Sequence, residues 1–362
     1  MRGTKMMFLL FAGLFLGAQL STANTVQVGG CLKGVTNFTT ISAAVAAVPA
    51  DSTIKVCPGT YAEQVVISTP LTLEGISSGN LGRAIVAFPG GGLTTVTTVT
   101  DQGVVAPQVL VEAGPVNITN ITVDGTGNNL NGTGNKLAGI FYASGASGTV
   151  NGVLARAQNG CGCGVGIWAE NGSGPSESVT IENSLVRDAD FLGMFLASGV
   201  SPPTLTATVK GNQIINTPTG ILSGFLDGII SSNSIIDHAS VGILSDGSST
   251  TIISNVISAV QGKSVVIGIQ IIGNGIVKSN TIMDENGSST GSGIDVSLTT
   301  GATVEGNKII DSVVGIEFGC KTGNTVSGNT INGMNVGLGS VPTGLSVPGT
   351  VQNVDTLRTG GC

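Results

Sequence analysis

Charge is scarce in this chain: of 362 residues only 10% are Asp, Glu, Lys or Arg. The 14 cations are scattered and outnumbered by 21 anions. Nucleic acid and anionic membranes both require clustered cations, so neither is an expected partner. Imidazole is nearly absent, with His238 the one His. Zinc needs four ligands, and Cys161-Gly-Cys163 has no His near it in sequence, so no metal site is expected. Long apolar runs are missing after Leu20, and a membrane span needs about 20 such residues. Intrinsic disorder is excluded in turn, because 41% of the chain is hydrophobic and rich in Val, Ile and Thr.

What the chain does have begins at its N-terminus. Arg2 and Lys5 precede an apolar run from Met6 to Leu20, and Ser21-Thr22-Ala23 supplies small residues at the −3 and −1 positions. This reads as a secretory signal over residues 1–23, cut after Ala23. Removing Arg2 and Lys5 leaves twelve cations against 21 anions, a net −9 for the mature chain. Location is therefore expected to be extracellular or periplasmic. Six Cys suit such an oxidising compartment. Six allow about 15 connectivities; the favoured set is Cys31–Cys57, Cys161–Cys163 and Cys320–Cys362.

A repeat of about 22 to 27 residues dominates the rest. Asn183, Asn212, Asn233, Asn255, Asn280, Asn307 and Asn329 mark it, and all but the first are followed two residues later by Ile. A second mark is Gly followed by Ile, Met or Leu, at Gly139, Gly166, Gly193, Gly220, Gly242, Gly268, Gly293, Gly315 and Gly337. Periods of this length mean stacked supersecondary units. Asn at a recurrent inward turn bonds to the Asn above and below, and Gly recurs where φ is positive or backbones approach closely. Both marks are read as structural. The result is an all-β chain: one parallel β-helix solenoid of roughly eleven turns over residues 24–362.

Residues 36–75 form its entry. Thr39 or Thr40 caps a short helix from Ile41, ended by Pro49 and Asp51. Ile54-Lys-Val56 alternates as a half-buried strand, Pro58-Gly59 turns, and Val65–Ile67 and Leu71–Leu73 follow as strands. Coil ends are open sheet edges and need covers. The helix covers one end, and the tail 341–362 covers the other.

Pro58, Gly59, Thr60, Tyr61 and Glu63 match a Pro-Gly-Thr-Tyr-x-Glu turn. With the preceding helix and the periodic marks, the chain resembles the pectin-lyase-like right-handed parallel β-helix superfamily over nearly all of residues 36–340. The resemblance implies a right-handed coil and a secreted repeat protein of a kind often left without an assigned activity. It carries no catalytic set. Ile236-Asp237-His238 is similar to a pectate lyase tripeptide, but the Arg-containing motif is not evident. The Asp-Asp pair and Gly-His-Gly of polygalacturonases are absent, as is the Arg-x-Trp of pectin methylesterases.

Two features of the outward column could carry function. Two residues after each repeat Gly stand Phe141, Trp168, Phe195, Leu222, Leu244, Gln270, Asp295, Glu317 and Gly339. Phe141, Trp168 and Phe195 stack on successive rungs, an arrangement that suits sugar rings with their apolar faces; the alternative is that something covers them. Asp295 and Glu317 fall on adjacent rungs, about 5 Å apart. That spacing suits a retaining glycosidase pair or calcium, against two solvated side chains. Asp237, Asp284 and Asp311, four after their Asn marks, are read as turn residues. The expected function is polysaccharide binding by a monomer along the aromatic column, with no cofactor and calcium unsupported by a motif. The alternatives are a lyase or hydrolase using Asp295 and Glu317, and a structural or adhesive scaffold.

Overall fold

In the computed structural model the described residues are 23–358, apart from segments 78–81, 100–102, 129–134, 144, 161, 173–175, 200–203, 248, 260–264 and 287–289. Residues 1–22 of the expected signal 1–23 lie outside them, as do Cys161 and Cys362. The chain winds as a right-handed parallel coil whose eleven rungs run from Ser52 to Gly339. Each rung adds one strand to each of three faces. Sheet I opens with Asn37–Phe38 and Thr25–Val28, continues with Ser52–Val56 and ends with Thr325–Ser327. Sheet II is made of short strands such as Leu154–Arg156, Leu185–Arg187 and Gln213–Ile215. Sheet III holds longer ones such as Gly164–Asn171, Leu192–Ser198 and Thr219–Gly224. Pairing is parallel throughout, except that Thr97–Val99 runs antiparallel to the start of Gly103–Val111.

The axial core is built by period-two alternation. Inward Val and Ile of one rung lie on those of the next, as in Ile214↔Ile235↔Ile257↔Ile282↔Ile309↔Ile331. The Asn marks do what stacking demands. Asn212, Asn233, Asn255, Asn280, Asn307 and Asn329 are buried, and each Oδ1 from Asn233 onward accepts both the backbone N–H and the Nδ2 of the Asn one rung before, at 2.9–3.0 Å. Asn183 is not in this ladder. Its backbone is left-handed (φ 50°), and the ladder position belongs to Ser184, whose N–H donates to Asn212 Oδ1 at 2.9 Å. A hydroxyl ends the column where an amide would continue it.

The Gly marks answer to close approach rather than to positive φ. A methyl on Gly193 would come within 2.6 Å of the Gly220 carbonyl oxygen and 2.5 Å of Ile214 Cγ2. The same contact with the next rung's Gly oxygen recurs from Gly139 to Gly315. Sheet III is thereby pressed against the aliphatic column of sheet II.

Both ends are covered. Helix Ile41–Ala47 starts at Thr40, whose side chain accepts from Ala43 N at 3.2 Å. Glu63 accepts from the backbone N–H of Ile41 and of Ser42 at 2.8 Å each. Tyr61 donates its hydroxyl to the Cys57 carbonyl at 2.9 Å. The Thr-Tyr-x-Glu turn is thus the clamp that fastens the cap to the first rung. Cys31–Cys57 is bonded as expected, and such a link contributes about 3 kcal/mol. Cys163 and Cys320 are also disulfide-bonded; their expected partners, Cys161 and Cys362, lie outside the described residues. Gly349–Arg358 pairs with Asn329–Gly339 and closes the far edge.

Candidate functional site

The outward column of sheet III has the register read from the sequence: Phe141↔Trp168↔Phe195↔Leu222↔Leu244↔Gln270↔Asp295↔Glu317↔Gly339. The three rings stack, with centroids 5.3 Å and 4.9 Å apart. The expectation of an open platform is corrected, however. Phe141 and Trp168 are 0% exposed and Phe195 6%. With Val105, Leu110, Ala138, Val165 and Leu192 they form a second apolar cluster on the outer side of sheet III, separate from the axial core. Trp168 Nε1 is spent on Glu170 at 3.2 Å. Burying three rings outside the coil removes large apolar surface from water, about 2 kcal/mol or more for each. No ring face is left for a sugar.

Asp295 and Glu317 are adjacent, as expected. Each carboxylate closes its own turn: Asp295 Oδ1 accepts from Ser297 N at 2.8 Å, and Glu317 Oε1 from Gly319 N at 3.0 Å. Asp295 Oδ2 accepts from Gln270 Nε2 at 3.1 Å. The pair is held by the backbone on either side.

A concave site lies elsewhere, at the bend from sheet II into sheet III. Asp188, Asn216, Asp237, Asp284 and Asp311 occupy the same left-handed turn position on their rungs, with φ between 52° and 61°. Asp and Asn tolerate that conformation, so Asp237, Asp284 and Asp311 are turn residues as read. The bends from the left-handed residue to the next sheet III strand are long on the first of these rungs and short on the rest: 157–163, then 188–191, 216–218 and 237–240. These steps leave a groove of about 590 Å³, lined by Asn159, Asp188, Asp190, Asn216, Thr217 and Asp237 among others. That volume is in the range of small-molecule sites, about 300–1,000 Å³. It crosses four rungs, about 14 Å along the axis.

The lining is anchored unequally. Asp190 accepts three backbone N–H groups, from Gly160, Gly162 and Gly164, at 2.6–2.8 Å, and so pins the longest connection as the groove's high wall. Asp188 accepts from Asn216 Nδ2 at 2.8 Å and pairs with Arg187 at 3.4 Å. Asp237 is exposed at the low end. Thr217, behind the lining, is 1% exposed and its hydroxyl has no hydrogen-bond partner.

The residue after each left-handed turn points inward. At this position stand Gln158, Thr217, His238 and Glu285, all buried. His238 pairs in register with Ala259, whose small side chain leaves room for Nε2 to reach Glu285 Oε1 at 3.1 Å. The pair is fully buried, and burial pushes the Glu285 carboxyl up; its bond to His238 offsets this in part, and Asp284 adds to it. An acid whose folded pKa exceeds its unfolded value holds its proton more tightly when folded, so its contribution to stability falls as pH rises through that window. Glu285→Gln keeps the hydrogen bond and removes the charge. It is expected to melt at or above the wild-type temperature at neutral pH and to lose that advantage in acid. Thermal melts from about pH 4 to about pH 8 decide it: a variant less stable at neutral pH would show that the carboxylate outweighs its desolvation.

The sequence reading missed the groove. The signal was the Asp and Asn residues four after each ladder position. Reading Ser184 in place of Asn183 brings Asp188 into line with Asn216 and Asp237. Stepped connection lengths, which make the concavity, show only once the strands are placed.

A family profile described as "Periplasmic copper-binding protein (NosD)" matches residues 206–344. No curated protein matches. Among solved structures, the A-module of mannuronan C-5 epimerase AlgE6 from Azotobacter vinelandii is similar at 14% identity and TM-score 0.53, over 88% of this chain and 90% of that one. The lacto-N-biosidase of Eubacterium ramulus matches at 10% identity and TM-score 0.53, over 92% and 68%. ORF18 of Geobacillus virus E2 matches at 11% and 0.54, over 89% of this chain but 57% of that one.

Proposed function

We propose that the protein acts outside the cytoplasm and binds a polysaccharide in the axial groove at Asp188, Asn216 and Asp237. The right-handed parallel β-helix fold is shared with the similar structures, and on such a fold a site must be argued from local geometry. The observation that carries the proposal is the groove itself, an open channel of about 590 Å³ lined by carboxylates and amides. Such groups take the hydroxyls of a sugar as donors. Two of the similar structures are named for action on sugars, a mannuronan epimerase and a lacto-N-biosidase. The net −9 of the mature chain keeps it soluble in such a setting.

Copper, named in the matching family profile, does not fit these residues. Copper selects imidazole, thiolate and thioether ligands. His238 is buried against Glu285, and Cys320 is disulfide-bonded. Among the described residues no three His, Cys, Asp or Glu converge as a metal set. The second reading, a lyase or hydrolase at Asp295 and Glu317, is favoured by their adjacency. It ranks lower because both carboxylates are tied to backbone turns.

The test is calorimetric titration of the mature protein with soluble oligosaccharides. Ala239 lines the groove, so Ala239→Phe is expected to weaken binding by at least about tenfold. Glu317→Gln should leave it unchanged, and Trp168 emission, sealed in the outer cluster, should stay blue and unresponsive. Binding or turnover lost in Glu317→Gln and kept in Ala239→Phe would move the site to sheet III.

A further inference from the structure

We infer that the His238–Glu285 pair is a pH-sensitive latch under the low end of the groove: it holds the bend 237–240 while the pair shares a proton, and loosens it when that proton leaves. Asp237 and Ala239 both line the groove, and His238 stands between them, buried. The backbone of the bend is tied to its neighbouring rungs. Ala239 N–H is shared between the carbonyls of Thr217 and Pro218 at 3.2 Å each, Ser240 N–H donates to Pro218 at 2.8 Å, and the Ser240 carbonyl accepts from Ile267 N–H at 2.8 Å. The side-chain anchor is His238 itself. Its Nε2 passes Ala259 on the next rung and meets Glu285 Oε1 on the rung beyond, at 3.1 Å. One buried contact thus ties the groove's low end to a rung with which it shares no strand pairing.

The contact is tolerated best when the pair is net neutral. Both side chains are 0% exposed, and His238 Nδ1 and Glu285 Oε2 are buried with no hydrogen-bond partner. With one proton between them the two groups carry no net charge. Once that proton leaves, a carboxylate with a single donor remains out of reach of water, and a buried charge so served is costly. The surrounding charges give no relief. Asp237 is exposed and Asp284 half-buried at their left-handed turns, and Asp311 takes the same turn one rung later. Asp246 and Asp295 stand at the far ends of their strands. Lys308 opens its strand at the exposed surface, and Lys263, in the bend after Ala259, lies outside the described residues. Burial pushes the Glu285 carboxyl up, the bond to His238 offsets this in part, and Asp284 adds to it. The folded pair therefore holds its proton more tightly than an unfolded Glu, which releases it at about pH 4.3. The closed bend is favoured at low pH and lost as pH rises through the folded transition, by up to about tenfold in the opening equilibrium per pH unit.

The experiment is amide hydrogen exchange from about pH 5 to about pH 9, expressed as protection factors so that the intrinsic pH dependence of exchange is removed. Ala239 and Ser240 should lose protection as pH rises, by up to about tenfold per unit. The amides of Asn233 and Asn255, held in the ladder at 2.9 Å, should keep theirs. Glu285→Gln retains the contact without an ionisable group, and the loss should disappear. His238→Leu removes the partner that draws the Glu285 carboxyl down, so the loss should move to higher pH; this variant keeps the test open where Glu285→Gln does not fold. Lys263→Gln should leave the wild-type course unchanged. Flat protection at Ala239 and Ser240 in the wild type overturns the latch. So does an equal loss in Glu285→Gln, an equal loss at Asn233, or a course abolished by Lys263→Gln. No ligand is present in these measurements, so their outcome is independent of what the groove binds.

Discussion

Asn255→Ala is expected to destabilise the coil by about 4 kcal/mol, among the larger effects a single side chain can have. Asn255 Oδ1 accepts from both the N–H and the Nδ2 of Asn233, at 2.9 and 3.0 Å. Its own Nδ2 donates to the Ile230 carbonyl and to Asn280 Oδ1, at 2.9 and 3.0 Å. Alanine removes these bonds, together with a fifth from Nδ2 to the Ile253 carbonyl at 3.2 Å, and strands groups on two neighbouring rungs. Buried polar groups left unpaired cost about 1–3 kcal/mol each, and the site is too enclosed for water to replace the amide, since Asn233, Asn255 and Asn280 are each 1% exposed. Asn212→Ser is expected to cost less, because Ser184 already shows a hydroxyl serving as the column's terminus. Urea melts give the magnitude. Hydrogen exchange gives the location: solenoids couple mainly to nearest neighbours, so amides of Ser231–Asn233 and Ile253–Asn255 should lose protection before those near the N-terminal cap. A melt shifted by less than about 1 kcal/mol would mean that the ladder is not a source of stability.

Gly242→Ala should be comparably severe, at about 3 kcal/mol or more. The added methyl would overlap Ile257 Cγ2, and it would lie 2.6 Å from the Gly268 carbonyl oxygen. Ile257 is fully buried, and the oxygen belongs to the backbone of the next rung. Neither can yield without separating sheet III from sheet II. The control is Gly224→Ala, where the new methyl meets nothing nearer than 3.7 Å. That change should fall within about 0.5 kcal/mol of the wild type. Equal effects at the two positions would show that glycine matters here through chain entropy and not through close packing.

Architecture was legible in the sequence because stacking repeats the same demand on every rung. Asn212, Gly242 and Ile257 each solve a problem that recurs rung after rung, so period alone exposes them. The one slip, Asn183 for Ser184, came where the ladder ends and the demand changes. Turn residues were legible for the same reason, as at Asp237. Exposure was not. The rings at Phe141, Trp168 and Phe195 have the right register and direction, yet whether an outward side chain meets water depends on its neighbours in space, here Val105, Val165 and Leu192. The groove was illegible because it is made by differences between rungs, and a search for period discards differences.

The stepped connections that form the groove carry a further consequence. Each joins the same two strands of its rung, so its length leaves the ladders unaltered. The Asn column and the Gly column remain in place whether a bend is as long as 157–163 or as short as 216–218. Recognition and folding are therefore inherited separately in this chain. Lengthening or trimming one bend reshapes what the surface can hold without renegotiating the scaffold, and descendants of such a sequence can change ligand one rung at a time.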